Sequence, residues 1–119
     1  MRKLLVSLVI AFVMMIPFSA MADEGPMKLP DSAPESAKMH NQEGIKHWNQ
    51  GHYDVAFKHF EESAGIDASN GEIHFNEAIA LDKMGQHGKA TMHFKAAKSR
   101  ANGNQAIINS PILNAHIGG

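Results

Sequence analysis

Residues 40–60 read HNQEGIKHWNQGHYDVAFKHF and residues 74–94 read HFNEAIALDKMGQHGKATMHF, so the chain repeats itself with a shift of 34 residues. Seven positions carry the same residue in both copies: His40 and His74, Glu43 and Glu77, Ile45 and Ile79, Gly51 and Gly85, Ala56 and Ala90, His59 and His93, Phe60 and Phe94. A period of this length is that of a unit of two helices joined by a turn. The repeat therefore predicts an all-α protein of stacked helix-turn-helix units, a short α-solenoid.

The ends of four helices can be placed from capping signals. Ser32 with Glu35, and Ser69 with Glu72, have the S-x-x-E spacing of a capping box. Gly51 and Gly85 sit where a glycine in the left-handed conformation closes a helix. The predicted helices cover about residues 33–50, 54–64, 71–84 and 87–100.

The first 22 residues read as a secretory signal. Arg2 and Lys3 precede an apolar run over residues 4–16, and Ala20 and Ala22 give a small-x-small cleavage pattern. We expect cleavage after Ala22, a periplasmic or secreted location, and no stable membrane anchor afterwards. An uncleaved anchor is the alternative.

The composition of the mature chain excludes several classes of function. Cleavage leaves 119 − 22 = 97 residues with 9 basic and 12 acidic side chains, a net charge of −3 with neutral histidines. Nucleic-acid binders need a basic surface, so we expect no nucleic acid among the partners. The chain has no Cys, and therefore no disulfide and no thiol nucleophile.

The segments on either side of the repeats differ from them in composition. Residues 23–34 hold Pro26, Pro30 and Pro34 and read as a Pro-rich linker or flexible arm. The domain then covers residues 35–119, with repeat one at 37–70, repeat two at 71–104 and a capping segment at 105–119. Within the capping segment, Ser110 and Pro111 predict a break followed by a short final helix.

The repeat resembles the tetratricopeptide repeat (TPR) family. In that family a small residue in the first helix of each unit faces an alanine and an aromatic, four residues apart, in the second helix. The small residues here are Gly44 and Ala78, and the second-helix pairs are Ala56 with Phe60 and Ala90 with Phe94. The sequence departs from the family where His40 and Glu43, with their repeat-two equivalents, replace an aromatic and a Leu.

The resemblance implies a concave groove, lined by the inner helices, that binds a protein or peptide partner. The positions it assigns to this groove are Lys38, Asn41, Ile45, Trp48, Asn49, Glu72, Phe75, Ile79, Asp82 and Lys83. Four of them are large and apolar and would form a hydrophobic floor of the groove, which suits a peptide or helix. The predicted function is an exported, non-enzymatic adaptor. The alternatives are that the Pro-rich arm or the tail fills the groove, or that Trp48 and Phe75 pack on each other.

Eight histidines in so short a chain raise the question of a metal site. His40 and His47, like His52 and His59, are seven residues apart, which separates them by about 10 Å on a helix. No pair is four apart, so we assign no metal ligand and no cofactor. A multi-histidine or intermolecular site stays open, and a periplasmic His-dependent metal binder is the alternative function.

Self-assembly is a further alternative, because two repeats are fewer than such stacks need for stability. That shortage predicts a homo-oligomer, or a tail that packs firmly against the fourth helix. No enzyme is expected. Gly88 and Lys89 lack the remainder of a phosphate-binding loop, and no G-x-S-x-G motif occurs.

Overall fold

The computed structural model describes residues 24–118, which form six helices and no strand. The helices are α1 Glu35–Asn49, α2 Tyr53–Ile66, α3 Gly71–Lys83, α4 His87–Ser99, α5 Gln105–Ile108 and α6 Pro111–Ile117. The most extensive packing joins α1 with α2 and α3 with α4, and α2 then packs on α3. This arrangement of two stacked hairpins confirms the predicted all-α repeat fold. The predicted signal segment and its cleavage site lie outside the described residues.

Both hairpin turns depend on a glycine at equivalent positions of the two repeats. Gly51 has φ 80° and Gly85 has φ 79°, a left-handed conformation that costs other residues free energy. Residues just past each helix donate backbone N–H groups to carbonyls of the last turn, as when His52 bonds to His47 at 2.9 Å. Helices α1 and α3 consequently end one residue before the predicted positions.

The two predicted capping boxes are wrong. Helix α1 has Pro34 at its N-cap and α3 has Asn70, and neither makes a side-chain capping bond. Ser69 instead donates its hydroxyl to Asp67 at 2.6 Å, which closes the preceding turn. Ser32 lies in a turn where the N–H of Ala33 bonds to the carbonyl of Pro30, so the helix begins after it.

The tail behaves as its sequence predicts. Ser110 accepts a hydrogen bond from the N–H of Leu113 at 3.1 Å, and Pro111 occupies the first turn of α6. Ile107 and Leu113 are fully buried, and α6 packs on α4. The tail therefore covers the C-terminal end of the stack, which is one of the two outcomes that the shortage of repeats predicts.

Small residues bring the helices of each hairpin close together. Gly44 lies directly against the ring of Phe60, and a β-carbon at this position would meet the ring at 2.6 Å from Cδ1 and closer still to Cε1. The equivalent pair in repeat two is Ala78 and Phe94, both fully buried. No helix in residues 24–118 is both long enough and apolar enough to cross a membrane.

Candidate functional site

The N-terminal arm, residues 24–34, lies along the inner helices and is held there by two buried asparagines. The N–H of Met27 donates to Oδ1 of Asn76 at 2.7 Å. The carbonyl of Met27 accepts from the amides of Asn41 and Asn76 at 3.0 and 2.8 Å, and the two asparagines bond to each other at 2.7 Å. Asn41 and Asn76 are 1% and 0% exposed, so the backbone of Met27 satisfies amides that would otherwise be buried without partners.

The arm is fixed at both ends as well. Leu29 and Ala33 are buried and belong to the hydrophobic core. Glu24 accepts hydrogen bonds from the Ser110 hydroxyl and the Ile112 N–H, both at 2.9 Å, at the start of α6. The arm thus joins the C-terminal cap to the start of α1. Of the alternatives open from the sequence, occupation of the groove by the arm is the one observed.

The apolar residues assigned to the groove do not form an open floor. Phe75 and Ile79 are 0% and 1% exposed, and Phe75 packs against Phe94 with ring centroids 5.8 Å apart. Trp48 is 9% exposed and packs edge-on against Tyr53 at 4.8 Å.

The other residues assigned to the groove are spread over its rim. Lys83 places its ammonium 5.9 Å from the ring of Trp48. Lys38 donates to the carbonyl of Asp31 at 3.1 Å. Glu72 accepts from Asn104 at 2.6 Å. Ile45 is half-buried and packs on the core, Asn49 is exposed, and Asp82 contacts two histidines.

A second feature of the fold is that histidines of neighbouring helices meet around a carboxylate. In repeat two, Nδ1 of His74 and Nδ1 of His93 lie 3.2 and 3.3 Å from the same oxygen of Glu77. In repeat one, Nδ1 of His40 and Nδ1 of His59 both lie 3.2 Å from one oxygen of Glu62. The four histidines are repeat equivalents, 34 residues apart. We call these groups the repeat-two cluster and the repeat-one cluster.

The repeat-two cluster is buried and its central atoms lack hydrogen-bond partners. The side chains of Glu77 and His74 are 5% and 12% exposed. Although the atoms are within ion-pair distance, neither Oε1 of Glu77 nor Nδ1 of His74 has a contact with hydrogen-bond geometry. Burying polar atoms in this state costs free energy, so a species that binds both atoms would stabilise the site.

The tautomer of His74 is fixed by the backbone. Its Nε2 lies 2.8 Å from the carbonyl of Ala68, and a carbonyl can only accept, so Nε2 carries a proton. In the neutral ring, Nδ1 then presents a lone pair towards the Glu77 carboxylate. Two such acceptors repel each other unless a proton or a metal cation stands between them.

The electrostatics of the repeat-two cluster favour an ionised Glu77 carboxylate and a protonated His74 imidazole. Burial acts to raise the pKa of the Glu77 carboxyl, but the imidazoles of His74 and His93 outweigh it and lower that pKa below its usual value. Glu77 raises the pKa of His74, with help from the Ala68 carbonyl and against the effect of burial. The carboxylate is therefore held ionised, as a metal ligand must be, and an ion that binds Nδ1 of His74 must displace the proton that the raised pKa favours there.

The distances fit a transition-metal ion. Zinc binds imidazole nitrogen at about 2.0–2.1 Å in tetrahedral geometry, which puts neighbouring ligand atoms about 3.3–3.4 Å apart. The imidazole-to-carboxylate separations are close to that spacing, at 3.2 Å for both histidines in repeat one and 3.2 and 3.3 Å in repeat two, and all ligand atoms of each cluster lie within 4.8 Å of one another. A third group differs, because Asp82 contacts His87 and His116 at 2.6 and 2.8 Å, the lengths of charge-assisted hydrogen bonds. That group fastens α6 to repeat two.

The comparisons with known proteins give no further indication. No protein-family model matches the chain, and no curated protein is significantly similar to it. The resemblance to the TPR family therefore depends on the residue pattern alone. The repeat-like packing of the helices agrees with that pattern.

The sequence contained a signal for the clusters that spacing within one helix does not reveal. His40 and His59 belong to different helices of a hairpin, as do His74 and His93, and each pair is 19 residues apart (59 − 40 and 93 − 74). In a hairpin, residues at similar distances from the turn lie side by side. Both histidines recur with the repeat period, and the hairpin brings the two histidines of each repeat side by side. These two facts together indicate two equivalent sites. Glu62 could not be found in this way, because its repeat-two equivalent is Ala96.

Proposed function

We propose that this protein binds divalent transition-metal ions, one in each repeat, through two imidazoles and one carboxylate. The observation that carries the proposal is the recurrence, at repeat-equivalent positions, of two imidazole nitrogens within 3.3 Å of one carboxylate oxygen. The secretory pattern of residues 1–22 supports a role outside the cytoplasm, as a carrier or buffer of such ions.

The donor set points to the class of ion. Imidazole suits Zn²⁺, Cu²⁺ and Ni²⁺, whereas Ca²⁺ and Mg²⁺ prefer ligand sets made of oxygen alone. Three protein ligands leave the fourth position of a tetrahedral ion open. An ion held in this way can accept a ligand from a partner molecule, which suits transport or buffering as well as storage. We propose no reaction.

A titration of the mature protein with Zn²⁺ in competition with a chromogenic chelator tests the proposal. Wild-type protein should bind two ions per chain with micromolar affinity or tighter, and neither Ca²⁺ nor Mg²⁺ should compete. His93→Gln and His59→Ala should each remove one ion. His52 is the matched control, because it is exposed and belongs to no cluster, so His52→Ala should keep both. Loss of zinc in His52→Ala equal to that in the other variants would show nonspecific binding and defeat the proposal.

A second candidate is the peptide adaptor, and one observation favours it. The Asn41–Asn76 pair holds the backbone of the chain's own extended arm, which supports the proposal that the same pair could hold the backbone of a peptide. A partner would have to displace the arm, which makes an adaptor conditional on arm release. A photo-crosslinking residue at position 45 tests this, since Ile45 borders the groove. Crosslinks to one other protein would support the adaptor, whereas crosslinks only to the chain's own arm would count against it.

A further inference from the structure

We infer that the two metal sites are kinetically unequal: repeat two retains its ion, and repeat one exchanges its ion with the surroundings. This inference depends on the proposed function and assigns different roles to the two clusters. It follows from differences in burial, in ligand orientation and in the number of nearby donors, although the histidines themselves are repeat equivalents.

The central ligand atoms of the repeat-two cluster are buried and are held in fixed positions, which favours binding of an ion in one position. Its central carboxylate is 5% exposed, and its histidines are 12% and 31% exposed. The bond from Nε2 of His74 to the carbonyl of Ala68 fixes the ring so that Nδ1 faces Glu77. Such outer-shell bonds orient the ligand and raise its basicity, so the site is organised before the ion arrives.

The repeat-one cluster is more open and lacks that orienting bond. The carboxylate of Glu62 is 56% exposed, and His40 and His59 are 40% and 25% exposed. Within the described residues, neither His40 nor His59 donates to a backbone carbonyl. A competing ligand can therefore reach the ion from solvent, and loss of one protein ligand exposes the ion further.

Repeat one also offers the ion a second position. Glu43, His47 and His59 form another group whose ligand atoms lie within 4.8 Å of one another, and it shares His59 with the repeat-one cluster. The rings of His47 and His59 are stacked, with centroids 5.2 Å apart and planes 7° apart. Nδ1 of His47 and Nδ1 of His59 are buried without hydrogen-bond partners. An ion can therefore exchange one ligand at a time between the two groups, which provides a stepwise route for release.

The size of the difference can be bounded from the orienting bond. Loss of outer-shell partners typically lowers metal affinity by roughly 10- to 100-fold. If the lower affinity appears as faster dissociation, the repeat-one ion should leave at least about tenfold faster than the repeat-two ion. The protein would then carry one resident ion and one exchangeable ion.

Stopped-flow release from the full mature protein tests this inference. Protein loaded with two equivalents of Zn²⁺ is mixed with a large excess of chromogenic chelator, and release should follow two phases that differ by at least about tenfold in rate. His59→Ala, which removes the ligand shared by both repeat-one groups, should remove the fast phase and leave the slow phase. His93→Gln should remove the slow phase and leave the fast phase. His52→Ala is the matched control and should keep both. Because His93 is partly exposed, its substitution avoids a folding defect that His74→Ala could cause.

Each other outcome overturns a defined part of the proposal. A single release rate for two bound ions, or a slow phase removed by His59→Ala, would overturn the inequality and leave the proposed function standing. Failure of the wild-type protein to bind Zn²⁺ would overturn the proposed function together with the inference.

Discussion

Replacing Gly44 with alanine tests how closely the two helices of a hairpin approach. The new β-carbon would lie 2.6 Å from Cδ1 of Phe60, whose ring is fully buried. Overpacking of a core in this way costs about 1–3 kcal/mol. Alanine also favours a helix over glycine by about 1 kcal/mol, which opposes the clash. The net expectation is a loss of about 1 kcal/mol in the free energy of unfolding.

Gly65→Ala is the matched control. Gly65 also lies in a helix, but a β-carbon there would meet nothing within 4 Å. This variant should therefore gain up to about 1 kcal/mol, because only the helix preference acts. Urea unfolding followed by circular dichroism measures both. If Gly44→Ala proved as stabilising as Gly65→Ala, the two helices would have room between them, and the close contact of position 44 with Phe60 would be refuted.

Two further predictions concern the arm and the repeat-two cluster. Leu29→Ala should lower the free energy of unfolding by about 2 kcal/mol, because it removes a buried leucine side chain. Lys28→Ala, at the exposed neighbouring position, should change it by less than about 0.5 kcal/mol. Equal changes in the two variants, measured by urea unfolding, would show that the arm does not pack on the core. In the metal-free protein, the raised pKa of His74 contributes stability that is fully present below pH 6.5 and is lost as the pH rises through the raised value. The lowered pKa of Glu77 contributes stability that is fully present above pH 4.5 and is lost as the pH falls through the lowered value. Glu77→Gln, with His93 and Arg100 still beside His74, should therefore destabilise the protein most between pH 4.5 and 6.5, and a pH-independent difference in urea unfolding would contradict this.

The repeat fold could be predicted from the sequence because its determinants are local and occur twice. Gly51 and Gly85 close equivalent helices, and the small residue at position 44 or 78 marks where the two helices meet. Ser110 and Pro111 likewise predicted the start of the final helix. Capping boxes were less dependable, since the Ser69 hydroxyl has a closer partner in Asp67.

Tertiary contacts over long sequence distances could not be predicted in this way. Met27 and Asn76 are 49 residues apart, and Glu24 and Ile112 are 88 apart, so no periodicity connects them. A proline-rich composition indicates an extended backbone equally well whether the segment is free in solution or bound in a groove. The two histidine clusters lie between these cases, because the repeat places the histidines whereas the carboxylate comes from a different helix in each repeat.

X-ray diffraction from zinc-loaded crystals, recorded above and below the zinc absorption edge, tests the proposed metal sites most directly. We expect an anomalous peak within about 2.0–2.1 Å of Nδ1 of both His74 and His93. A second peak should lie in repeat one, beside His59. Peaks confined to His52 or to the Asp82 group, with none between His74 and His93, would contradict the proposal.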